Sequence, residues 1–143
     1  MIMVTAIASC GCPSTMHLPL PAGAPAARHA RQSVARMLAL EPAVCPRAVA
    51  EDLFLIVSEL VTNAVLHAHG PYALTIRLEP GRAGIAVTDG SGDMKTRSPD
   101  AGTRRIGPGG RGLKMVRALG ADLFVSRSDR GKQVVAILTW QAQ

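Results

Sequence analysis

Aromatic side chains are scarce in this chain: one Trp, one Tyr and two Phe stand among 143 residues, or 3% of the total. A platform that stacks nucleobases on aromatic faces needs more than that, so the composition argues against this class of nucleic-acid binder. Cysteine is also sparse. Cys10, Cys12 and Cys45 are an odd number with no repeated spacing, which disfavours a disulfide framework and favours a reducing cytoplasm. Cys10-Gly-Cys12 has no second pair, and His67 and His69 stand far along the chain, so a zinc site is short of ligands. Acidic residues are outnumbered, 10 Asp and Glu against 16 Lys and Arg, and the net charge is +6. Of those 16 cations, 13 are arginine. This balance favours an anionic partner, whether phosphate, nucleic acid or an acidic protein face, without choosing among them. No apolar run approaches the ~20 residues of a membrane span, so a membrane partner is not expected. The apolar opening, Met1 to Ser9, is too short for an export signal and carries no Lys or Arg. Ile7-Ala8-Ser9-Cys10 only faintly resembles a lipoprotein cleavage site, and the segment reads as a loose cytoplasmic tail.

Hydrophobic residues make up 48% and charged residues 18%, enough apolar matter for a packed core of single-domain size. Gly11 to Pro25 is rich in Pro, Ser and Gly, so residues 1–25 read as an irregular lead-in, with His17 to Leu20 as a short edge strand where proline is tolerated. From Ala26 to Leu40 the pattern is helical, with Ala30, Val34, Met37 and Leu38 on one stripe. A second helix is expected from Arg47 to His67. There Leu53, Ile56, Val57, Leu60, Val61 and Ala64 recur at three- and four-residue intervals, and Gly70-Pro71 closes it. Tyr72 to Leu78 and Ala83 to Thr88 form a hairpin, and Ala121 to Ser126 with Gln133 to Trp140 form another. Between them lie a long glycine-bearing loop from Gly90 to Gly110 and a short helix over Gly112 to Leu119. Helices grouped around a mostly antiparallel sheet predict a two-layer α/β sandwich, with residues 26–143 as one domain.

Three clusters carry polar chemistry. In the first, Glu59, Asn63 and His67 are spaced by four and share one helical edge beside the apolar stripe. A carboxylate one turn from an amide oxygen offers a base next to a hard-metal ligand, although a solvated polar face has the same pattern. The second, Val87-Thr88-Asp89-Gly90-Ser91-Gly92, ends a strand. Its Asp can accept from an exocyclic amine while small residues admit a ligand to the backbone, and a plain glycine turn is the blander reading. The third, Gly107-Pro108-Gly109-Gly110-Arg111-Gly112-Leu113, runs into a helix whose free amides suit phosphate. It has neither P-loop spacing nor a surrounding parallel βαβ unit, and a flexible loop fits it equally well.

Taken in order, Glu-x-x-x-Asn on a helix, Asp with glycines after a strand and Gly-x-Gly-Leu at a helix start resemble the GHKL ATP-binding superfamily, with its Bergerat-type fold. The run Ser58 to Ala68 resembles the N box of the small bacterial anti-sigma-factor serine/threonine kinases. Gly110-Arg111-Gly112-Leu113 resembles their second glycine box, and Gly131-Lys132-Gln133-Val134 fits the hairpin near their end. The resemblance covers about residues 26–140.

It implies ATP and Mg²⁺, with Asn63 holding the metal against the phosphates and Glu59 as general base toward a serine hydroxyl. Asp89 would receive the adenine amino group with Gly92 in the glycine box, while Gly110, Arg111, Gly112 and Leu113 would hold phosphate oxygens. The implied partners are a small anti-sigma antagonist as substrate, a sigma factor, and a second copy in a homodimer. One departure stands out. Counting Asp89 as first, the family's glycines at the third and fifth places are replaced by Ser91 and Asp93, while Lys95, Arg97, Arg104, Arg105 and Arg111 supply positive charge in and beside the Gly90–Gly109 loop, which by the resemblance would serve as a short lid. The alternative is a regulator that binds ATP without transferring phosphate and sequesters a transcription factor.

Overall fold

The computed structural model describes residues 3–5, 13–40, 45–90, 103–105 and 113–141. Among the described residues, seven strands form one antiparallel sheet: β1 (Met3–Thr5), β2 (Ser14–Leu20), β3 (Tyr72–Glu79), β4 (Arg82–Asp89), β5 (Thr103–Arg105), β6 (Asp122–Ser128) and β7 (Gly131–Thr139). Their spatial order is β1-β2-β3-β4-β7-β6-β5. The helices are α1 (Pro25–Leu40), α2 (Arg47–His67) and the one-turn α3 (Lys114–Ala118). The result is the two-layer α/β sandwich.

Alternation decides which sheet face is covered. Side chains two apart on a strand share a face, and Leu74, Ile76 and Leu78 of β3 are buried together with Ala83, Ile85 and Val87 of β4. The register places these residues opposite one another, Leu74 against Val87, Ile76 against Ile85 and Leu78 against Ala83. Met16 and Leu18 of β2, Leu123 of β6 and Ala136 and Leu138 of β7 continue the same face. Onto it α2 lays Leu53, Ile56, Val57, Leu60, Val61 and Ala64, all buried. The apolar stripe read from the sequence is thus the packed face. α1 adds Ala26, Ala30, Val34 and Met37, and packs against α2 and β2. Arg31 of α1 reaches across to donate to Ser58 Oγ on α2 at 2.5 Å.

The lead-in is where the expectation needs correcting. Ser14–Leu20 forms a seven-residue strand rather than a short edge strand, and β1 pairs along its far side. Burial alternates along it, with Ser14, Met16 and Leu18 inward and Thr15, His17 and Pro19 outward. Pro19 is tolerated because β1 pairs only with Thr15, Met16 and His17, which leaves the amide-lacking position clear of that ladder. The long loop also holds β5, paired with β6 from Thr103 opposite Ser126 to Arg105 opposite Phe124.

No helix among the described residues is long and apolar enough to cross a membrane, and no three His, Cys, Asp or Glu among them are grouped to hold a metal ion. Cys45 is a free thiol, and burial pushes its pKa up. The central strands and α2 should dominate stability. Ile85→Ala, at a fully buried site on β4, is expected to cost about 2–5 kcal/mol. Leu66→Ala, at a position 70% exposed on α2, should change stability by less than about 0.5 kcal/mol. Urea denaturation of both variants checks the pair.

Candidate functional site

Three chain segments converge at one end of the sheet. The first is the close of α2, where Ala68 leaves the helix in an extended conformation and its amide still donates to the Ala64 carbonyl at 2.9 Å. The Tyr72 hydroxyl donates to the Ala68 carbonyl at 2.8 Å, which ties the start of β3 to the helix end. The second is the end of β4. The Gly90 amide donates to the His69 carbonyl at 2.6 Å, bringing Asp89 and Gly90 beside the segment that follows α2. The third is the β6–β7 hairpin, whose Gly131 lies against the Asp89 carbonyl.

Two of these contacts require glycine. A Cβ on Gly90 would run into the Gly70 carbonyl. A Cβ on Gly131 would overlap the Asp89 carbonyl, and its φ of 145° is one that L side chains rarely adopt. Backbone therefore packs on backbone around Asp89.

Asp89 is the last residue of β4 and continues the inward series of Ala83, Ile85 and Val87, so alternation alone turns its carboxylate toward the helix layer. It is one of few buried polar residues, with a side chain only 1% exposed. Lys132 stands directly opposite on β7, and its Nζ lies 3.7 Å from Asp89 Oδ2. A carboxylate this deep needs such a partner, because an uncompensated buried charge is expensive.

On α2, Glu59 and Asn63 are both half-buried, one turn apart beside the buried stripe. They sit at the rim of the helix–sheet packing rather than in the core, where a reacting group can meet them. His67, a turn further along, is exposed. Leu113 is buried immediately ahead of α3, and Val116 one turn on is buried too, so α3 is anchored on its apolar side. Of the other residues assigned to the site from sequence, Gly92, Gly110, Arg111 and Gly112 lie outside the described residues. Lys132 is read from the sequence only as part of the Gly131–Val134 hairpin, with no place in the site. Its pairing with Asp89 depends on two strands over forty residues apart being brought side by side, a fact that local patterning does not contain.

The family model of the histidine kinase-like ATPase domain matches residues 20–138. The chain belongs to that family, and its sandwich is the family's ATP-binding fold. A comparison with curated proteins returned no match. The matched span takes in α1, α2 and β3 through β7 except Thr139, and hence Glu59, Asn63, Asp89 and Lys132.

Gly131→Ala tests the backbone contact at Asp89. It should destabilise the fold by about 1–3 kcal/mol through the strained φ and the displaced carbonyl. Gly84→Ala, where an added Cβ meets nothing within 4 Å, should leave stability near wild type. Thermal melts of the two variants compare a constrained glycine with an unconstrained one on neighbouring strands.

Proposed function

We propose that the protein is an ATP- and Mg²⁺-dependent serine/threonine kinase of the anti-sigma type, which phosphorylates a small antagonist protein and thereby controls a sigma factor. The observation that carries this reading is the placement of half-buried Glu59 and Asn63 on one edge of α2, in a domain whose family binds nucleotide and whose buried Asp89 closes β4.

The donor set suits the group it would hold. Mg²⁺ takes few protein ligands and keeps water and phosphate oxygens in its shell, so a single amide oxygen from Asn63 is an adequate anchor. When bound, Mg²⁺ would neutralise charge on the phosphates. Asp89 accepts a hydrogen bond from the exocyclic amine of the base. Glu59 takes the proton from an incoming serine hydroxyl as its oxygen bonds to the γ-phosphorus and the bond to ADP breaks. Such transfer depends mainly on positioning and electrostatics, which side chains fixed on a packed helix and strand supply. A homodimer and a sigma-factor contact belong to the same proposal.

Calorimetry with and without Mg²⁺ tests the first part. Metal-dependent ATP binding is expected, and Asp89→Asn should weaken it by roughly 10-fold or more through loss of a charge-assisted hydrogen bond. Glu59→Ala should retain binding while γ-phosphate transfer to protein falls by about 10²–10⁴. Transfer is read as acid-stable phosphoserine in native-cell extract, against the acid-labile product of histidine phosphorylation. ATP binding without any transfer would instead favour a regulator that occludes its partner without phosphorylating it. No binding at millimolar ATP would overturn both readings.

A further inference from the structure

The outer face of the sheet holds a glycine that the chain itself does not require. Gly84 sits within β4 on an unbroken ladder, with Arg77 opposite on β3 and Ile137 opposite on β7. Its φ lies outside the left-handed region, and an added Cβ would meet nothing within 4 Å. A glycine inside a strand weakens it, and commonly marks a place where something else comes close. Ala86, the next residue on that face, is small too, so β4 forms the floor of a shallow trough. Val135 and Ile137 of β7 stand beside the trough as a ridge, with Phe124 of β6 beyond. These three are half-buried, on the face opposite the core that the described helices cover.

Trough and ridge lie side by side on one face, as a twofold pair needs, because each copy must supply both halves of the contact. A twofold axis parallel to the strands and midway between β4 and β7 lays β7 of each copy over β4 of the other. The register then sets Ile137 over Gly84, Val135 over Ala86 and Phe124 over Thr75, the larger on the smaller each time. Arg77 faces Asp122 at the flanks, so opposite signs meet there. An axis across the strands would instead stack Ile137 on Val135 and leave Gly84 against Ala86. We propose that this face is the interface of a homodimer, with the ridge of each copy seated in the trough of the other. The inference rests on the homodimer of the reading above and names its surface. Facing sheets pack within about 30° of aligned, so the fit is closest near the axis, where Gly84 and Ile137 lie. Five of the strands, β2, β3, β4, β7 and β6, have seven to nine residues each. At about 4.8 Å per strand and about 3.3 Å per residue they make roughly 550 Å² in projection, before side-chain relief is added. Stable pairs bury about 800 Å² of accessible surface per partner, which a face of this extent can supply.

Analytical ultracentrifugation of the full chain tests the surface, with circular dichroism to confirm folding. Wild type should sediment as a dimer of the 15.0 kDa chain at about 10 μM. Gly84→Leu puts bulk where the chain's own atoms leave room, so the fold should persist while trough and ridge clash across the pair. Ile137→Ala leaves both troughs unfilled. Each variant alone should weaken self-association roughly 10-fold or more. Mixed in equal amounts, the two should pair to within about threefold of wild type, since each contact again sets one large residue against one small. A dimer formed through any other surface would not single out the mixed pair. Weakened variants that fail to recover on mixing, or a dimer that neither substitution weakens, would overturn this surface and keep the homodimer. A wild type still monomeric at about 100 μM would overturn the surface and the homodimer together, while ATP binding and phosphotransfer stand on their own assays. Should Gly84→Leu fail to fold, Ile137→Lys decides: a folded monomer supports the proposal and an unchanged dimer overturns it.

Discussion

The packing of α2 on the central strands is the constraint from which the remaining arrangement follows. Six residues from Leu53 to Ala64 are buried on one stripe, and this fixes the rotation of the helix about its own axis. A helix held in that way has no freedom over which residues stand at its rim. Glu59 and Asn63, each next to a stripe residue, must emerge at the edge of the contact, half-buried and one turn apart. Turning them away would cost the burial of several large side chains, each worth about 1.5–3 kcal/mol. Polar chemistry is therefore positioned by hydrophobic packing rather than by loop conformation.

The sheet obeys the same logic with its own period. Ala83, Ile85, Val87 and Asp89 point the same way because they are two apart, so the buried carboxylate is the polar end of an apolar series. Its cost is offset locally by Lys132, and the backbone around it is tightened by Gly90 on the Gly70 carbonyl and Gly131 on the Asp89 carbonyl. A residue that packing and ladder register both hold in place is suited to recognition, since little ordering remains to be done when a ligand arrives.

Elements with a strong local period were legible in the sequence. The α2 stripe, the stripe of α1 and both hairpins were read to within a residue or two, and Asp89 was recognised at a strand end. The other features depend on distant pairing. Ser14–Leu20 alternates as a strand should, but proline and polar residues mask the pattern, and its place beside β3 follows from a partner over fifty residues away. The three residues of β5 carry no period of their own and are a strand only through β6. Lys132 looks like an ordinary hairpin cation until the register sets it opposite Asp89. Two expectations, the glycine box around Gly92 and the cradle at Gly110 to Gly112, fall outside the described residues.

The amino-terminal strands add a further step. The family match begins at residue 20, so β1 and all of β2 except Leu20 precede it. Yet Met16 and Leu18 are among the most deeply buried side chains, and they lie opposite Ile76 and Leu74 of β3. Helix α1 packs against β2 as well as α2. The same strand therefore supports the outer side of β3 and the underside of α1, while Arg31 of α1 bonds Ser58, the residue before Glu59. Mechanical continuity thus runs from strands ahead of the matched domain, through α1, to the helix that carries Glu59 and Asn63. A core shared in this way makes the amino-terminal strands part of the scaffold that sets the site's geometry, since loosening β2 would expose apolar surface beneath α1 and β3 together.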